Sequence, residues 1–192
     1  MTLAGVDEAV FVGLSMGGMI VQELALLYPS MVRGAVLLGT RPPAPANVAP
    51  GRAMTKAVMS PVARDEHVRE SLRDRWLSFS GDDFASRPED VDELADALVA
   101  GVTPLSAVVA QVRAVTGWHG PGRLSRISSP VTVVHGAVDP LIPVENGRRL
   151  AALIPDARYI ELPDVGHLVP FEVPDRVADI VESVTKSSRS IR

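Results

Sequence analysis

Three residues far apart in the chain have the types and surroundings needed to transfer an acyl group: Ser15, Asp139 and His167. Ser15 lies in Gly13-Leu14-Ser15-Met16-Gly17, a Gly-x-Ser-x-Gly turn. The apolar run Ala9-Val10-Phe11-Val12 enters it, and a long apolar stretch from Gly17 to Tyr28 leaves it. That layout matches a nucleophile elbow, a cramped strand-to-helix turn that leaves a serine oxygen exposed. The residue at the apex is forced into an unfavourable backbone conformation, so Gly13 and Gly17 are expected to be glycine because a Cβ would collide there. The helix that follows aims unpaired N–H groups at the place where negative charge develops. By itself the pattern is weak, with about 0.06 chance matches expected at average glycine and serine usage. The flanking strand and helix strengthen it.

The division of labour follows from ionisation. A serine hydroxyl is a poor nucleophile near neutral pH, so a neutral imidazole must take its proton during attack. His167, in Gly166-His167, is the candidate base, and it would return the proton to the leaving group. Asp139, in His135-Gly136-Ala137-Val138-Asp139-Pro140, would hold the imidazole in the right tautomer and stabilise its charged form. Each residue has a plainer alternative: a turn serine, an aspartate that starts a turn before Pro140, a solvated loop histidine. Asp164 competes for the acid role, but three residues before His167 it is expected to brace the loop. His135 is expected to be structural beside Gly136, His119 to lie in a surface loop, and His67 to be solvated on a helix face. No histidine pair has metal-ligand spacing, so no metal is expected. Gly13, Gly17 and Gly18 do not space as a dinucleotide-binding turn and no acid stands near position 33, so no cofactor is expected either.

The elements that must position these residues alternate. Ala9 to Val12 is apolar throughout and predicts a parallel strand buried on both faces. A helix from about Gly17 to Tyr28, stopped by Pro29, leads to a second strand, Gly34 to Leu38. Pro42, Pro43, Pro45 and Pro50 make a stiff connector. Helical spacing then predicts Arg64 to Phe79, Glu89 to Ala100 and Leu105 to Val115, with a weaker helix at Met54 to Met59. No strand pattern interrupts them before about Ser125. A third strand, Val131 to His135, a helix from Val144 to Leu153, a fourth strand, Arg158 to Leu162, and a helix from Pro174 to Val184 complete the chain. Ser187 to Arg192 is expected to fray. Ser15, Asp139 and His167 thus each fall just past the carboxyl end of a strand or its loop, where a parallel sheet gathers residues along one edge.

The 192 residues carry a formal net charge of −4, with 46% hydrophobic and 4% aromatic residues and no cysteine. That balance excludes disulfides and thiol catalysis, and with no basic stripe it points away from nucleic acid. No apolar run approaches the roughly 18 residues of a membrane span. The expectation is a soluble, cytoplasmic protein with a respectable core.

On the elbow Val12 to Gly18, the acid turn His135 to Pro140 and Gly166-His167, the sequence resembles the α/β-hydrolase superfamily, and within it the small esterase and lactonase branch. The resemblance implies the carboxyl-terminal part of an α/β-hydrolase fold, a parallel sheet of about four strands with a helical cap insertion. Residues 1–40 and 126–192 would be the core and residues 41–125 the cap. It implies an acyl-enzyme mechanism on a small apolar ester or lactone, with the backbone N–H of Met16 as one oxyanion donor. Perhydrolysis and acyl transfer use the same triad. Members of the family place about four further strands and the second oxyanion donor ahead of the elbow. The expectation is therefore a shortened form whose first strand is an open edge, suited to a homodimer or a complementing chain. A non-catalytic hydrolase fragment or interaction module is the alternative.

Overall fold

The structure is a computed structural model that describes residues 5–59, 66–101, 105–120 and 123–188. Four strands, β1 (Ala9–Leu14), β2 (Val32–Leu38), β3 (Val131–Gly136) and β4 (Arg158–Leu162), form one parallel sheet in the order β1-β2-β3-β4. Helix α1 (Met16–Leu27) joins β1 to β2. Between β2 and β3 come α2 (Arg52–Met59), α3 (Val68–Leu77), α4 (Asp82–Ala85), α5 (Pro88–Ala100) and α6 (Leu105–Thr116). Helix α7 (Glu145–Leu153) joins β3 to β4, and α8 (Val169–Glu172) and α9 (Pro174–Ser187) follow β4.

Strands β2 and β3 are buried on both faces because helices cover both, whereas β1, expected to be buried on both faces, is only partly covered, as is β4. Side chains alternate along a strand, so β2 sends Ala35 and Leu37 to one side and Val36 and Leu38 to the other. Ala35 and Leu37 pack with Val21 and Ala25 of α1, Val131 and Val133 of β3, and Leu150 of α7. Val36 and Leu38 pack with Val134 of β3 and Ile180 and Val184 of α9. The strand Gly34 to Leu38 starts two residues earlier than its sequence pattern suggests, at Val32, which joins the first cluster.

No strand lies between β2 and β3 among the described residues. On α5, Val91, Leu94 and Ala95 are in the interior and Leu98 packs beside them. Val91 and Leu94 make, with Phe84 and Leu168, a third apolar cluster, separate from the two that cover the sheet. Helix α3 packs against α5. It begins at Val68, and the start expected at Arg64 lies outside the described residues. It also ends before Phe79, which is nonetheless buried. On α6, Val109 is 40% exposed and Val112 and Val115 are half-buried. Two one-turn helices, α4 and α8, are too short to show a period in the sequence. Helix α9 runs to Ser187, so the expected fraying at that residue does not occur, and residues 189–192 lie outside the described set.

β1 is an edge strand, hydrogen-bonded to β2 alone within the sheet. Val12 on β1 is 45% exposed, and Ile20 and Leu27 on α1 are 51% and 62% exposed. The open edge and the uncovered helix face expected from the sequence are both present. Among the described residues no helix is long and apolar enough to cross a membrane.

Candidate active site

Ser15 joins β1 to α1 with φ 55° and ψ −117°, a left-handed backbone that costs a non-glycine residue about 1–3 kcal/mol. The turn is held by its neighbours. The Ser15 N–H donates to the Leu38 carbonyl at 2.9 Å, and the Thr40 hydroxyl donates to the Ser15 carbonyl at 2.7 Å. The Ser15 side chain makes no capping bond to α1, so the hydroxyl is not spent on the helix as a turn serine's would be. A Cβ on Gly13 would stand 2.5 Å from the Gly17 backbone, as expected. The expectation for Gly17 itself is corrected. A Cβ there would meet nothing within 4 Å, and the second crowded glycine is Gly18, 2.6 Å from the Thr40 side chain. Met16 opens α1, where a backbone N–H has no carbonyl of its own helix to bond.

Asp139 and His167 meet directly. Nδ1 of His167 donates to Oδ2 of Asp139 at 2.8 Å, which leaves Nε2 with a lone pair able to take a proton. The other carboxylate oxygen, Oδ1, accepts the backbone N–H groups of Leu141 and Ile142 at 2.9 and 2.8 Å. Burial alone would raise the Asp139 carboxyl. The Nε2–H of His135 at 3.5 Å, the hydrogen bonds from His167 and Ile142, and the charge of His167 when it is protonated outweigh that and hold it below the usual carboxylate range. Asp139 thus holds the turn through Oδ1 and faces the imidazole through Oδ2.

The end of β2 brings the serine and the His–Asp pair to one place. Leu38 and Thr40 hold Ser15, and Gly39 between them, with φ +45°, has the pair on its open side. A Cβ on Gly39 would lie 3.4 Å from Nδ1 of His167 and 3.5 Å from Oδ2 of Asp139. No hydrogen bond joins the Ser15 hydroxyl to His167 among the described residues. Beside Met16, a small cleft of about 90 Å³ opens between α1 and the end of α6, lined by Met19, Ile20, Val115 and Trp118. Its one acid, Glu23, accepts the indole N–H of Trp118 at 2.7 Å.

The other candidates sort as follows. His135 is fully buried, but its ring lies against Gly147, and Nε2 donates to the Ile142 carbonyl at 2.9 Å while standing 3.5 Å from Asp139. His119 and His67 are exposed. The loop brace expected of the Asp164 side chain is supplied instead by Glu172, whose buried carboxylate accepts the N–H groups of Gly166 and Leu168. Sequence reasoning missed Glu172 and Gly39. A positive φ after a strand is a signal glycine can carry, but nothing in the type or spacing of Glu172 points to backbone partners.

A parallel sheet covered on both faces, with an acid and a histidine bonded at its carboxyl edge beside a strained serine, defines an α/β hydrolase architecture. The model of the alpha/beta hydrolase family matches residues 2–180, and the chain belongs to that family. It is 28% identical over 192 residues to a pimeloyl-[acyl-carrier protein] methyl ester esterase of Aromatoleum aromaticum, covering 94% of this chain and 75% of that protein. It is 28% identical over 184 residues to 3-oxoadipate enol-lactonase 2 of Acinetobacter baylyi, covering 94% of this chain and 65% of the relative. In fold it is similar to the crystal structure of the enol-lactonase from Burkholderia xenovorans, with a TM-score of 0.75 and 24% identity over 97% of this chain and 68% of that one. The chain thus spans 65–75% of the length of these proteins.

Proposed function

We propose that the chain is a serine hydrolase of carboxylic esters or lactones that works through an acyl-enzyme. Ser15 attacks the carbonyl carbon while Nε2 of His167 takes the hydroxyl proton. The tetrahedral intermediate collapses, His167 protonates the departing alkoxide, and Ser15 holds the acyl group. Water, deprotonated by the same imidazole, then releases the acid. Asp139 keeps the ring oriented and offsets its charge, and the Met16 N–H donates to the oxyanion. The carrying observation is the 2.8 Å Asp139–His167 bond beside Gly39, on the strand end that also holds Ser15.

Residues 41–125 serve as the cap over the core residues 1–40 and 126–192. The esterase and enol-lactonase relatives support ester or lactone substrates. The uncovered β1 edge favours a further element of the reading, that β1 pairs with a strand from a second copy or a complementing chain when the protein works.

Labelling with a fluorophosphonate, read by intact mass, tests the proposal without knowledge of the substrate. One adduct per chain is expected, lost in Ser15→Ala. Folded protein that takes no label would refute it.

A further inference from the structure

We infer that Glu172 is a positioning residue for the base: its buried carboxylate fixes the backbone on both sides of His167 and locks that loop to the helical insertion. The catalytic consequence rests on the serine-hydrolase reading; the geometry stands apart from it. Glu172 ends α8 and is 5% exposed. Its Oε1 accepts the Leu168 N–H at 2.9 Å, and its Oε2 accepts the Gly166 N–H at 2.8 Å and the Gly81 N–H at 2.9 Å. The N–H of His167 itself donates to the Phe79 carbonyl at 2.7 Å. Three successive peptide N–H groups, 166 to 168, are thereby held by α8 and by the segment 79–81 ahead of α4.

The contact between the two segments is backbone against backbone. A Cβ on Gly166 would lie 2.5 Å from the Phe79 carbonyl oxygen, and one on Gly81 would collide with the Asp164 carbonyl oxygen. Arg87, between α4 and α5, closes the arrangement from the insertion side. Its Nη2 donates to the Glu172 carbonyl at 2.8 Å, and its guanidinium lies 5.1 Å from the Phe84 ring centroid. Leu168 is buried among Phe84, Val91 and Leu94.

An ionised carboxylate suits this place because it only accepts hydrogen bonds and all its partners here donate. Asp139 anchors the ring of His167 and Glu172 anchors the peptide that carries the ring, so the imidazole is fixed at both ends. A base must be held to within about half an ångström to work, and a misplacement of about 1 Å costs on the order of 10²-fold in rate. The insertion is thus part of the base's scaffold as well as a cover.

Glu172→Gln tests this. The carboxamide keeps the size but can present only one acceptor oxygen, so its NH₂ must face at least one N–H. The folded variant is expected to label with fluorophosphonate on the order of 10²-fold more slowly at saturating probe, with the half-saturating concentration little changed. The downfield proton resonance of His167 Nδ1–H should shift or broaden, though neither Asp139 nor His167 is altered. Wild-type labelling and an unmoved resonance in folded Glu172→Gln would overturn the inference. If that variant does not fold, amide exchange of the wild-type protein decides: Gly81, Gly166 and Leu168 should exchange as slowly as strand amides, and exchange at exposed-loop rates overturns it. If the wild-type chain takes no label, the serine-hydrolase reading falls, and the His167 resonance still reports on Glu172.

Discussion

At the scale of single residues, Asp139 shows how the surroundings of a side chain decide its chemistry. Oδ1 is committed to the N–H groups of Leu141 and Ile142, so only Oδ2 faces the imidazole. In Asp139→Asn the amide oxygen stays with those two N–H groups, and the NH₂ turns to Nδ1 of His167. That nitrogen must then accept, which moves the ring proton to Nε2, the atom that should take the serine proton. Ester hydrolysis by this variant is expected to fall about 10⁴-fold with the fold intact, measured as kcat on any ester the wild-type protein turns over. The same substitution reports on acid stability. The folded Asp139 carboxyl is held below its ordinary value, so its stabilising contribution is complete above the ordinary carboxylate range and is lost as pH falls through the depressed folded value. Melting temperature against pH should therefore fall less steeply on the acid side in Asp139→Asn than in the wild-type protein.

At the scale of elements, the turn from β1 to α1 is built on close approach, and its glycines are not equivalent. Gly13→Ala sets a methyl group against the Gly17 backbone, which has no flexible side chain to move aside. Overpacking of this kind costs about 1–3 kcal/mol, and more where only backbone can yield. Gly17→Ala meets open space in a helix, so stability should hold or rise by up to about 1 kcal/mol. Thermal denaturation of the two variants checks both directions. Equal losses at the two positions would mean that the turn is not packed as described.

At the scale of the whole molecule, two apolar clusters cover the faces of the sheet and a third joins the insertion to Leu168, while β1 and one face of α1 stay open. A sheet edge of unpaired backbone groups beside exposed Val12 and Ile20 is a template for a further strand. Ile20→Lys should leave the stability of the folded chain within about 0.5 kcal/mol, because the side chain is already half in water. Its mass by light scattering should drop if copies pair across this edge. An unchanged monomeric mass for both proteins would exclude pairing between copies.

Much of the fold and site was legible in the sequence. Four strands, the long helices and the order Ser15, Asp139, His167 could be read because each leaves a local signature: an apolar run, a helical period, a glycine-flanked turn, a polar residue just past a strand. These follow from backbone geometry and burial over a few consecutive residues. What the tertiary structure alone decided are the contacts between segments far apart in sequence. The preference for Asp139 over Asp164 was legible in the sequence, but the 2.8 Å contact of Asp139 with His167 beside Gly39 is a product of the packing. Gly18, not Gly17, is crowded because Thr40 returns to the elbow. Glu172 holds the base loop through peptide N–H groups, which every residue but proline carries, so no pattern of residue types could announce it. Local sequence sets which elements form and which side chains are available, whereas long-range packing selects the atoms that meet.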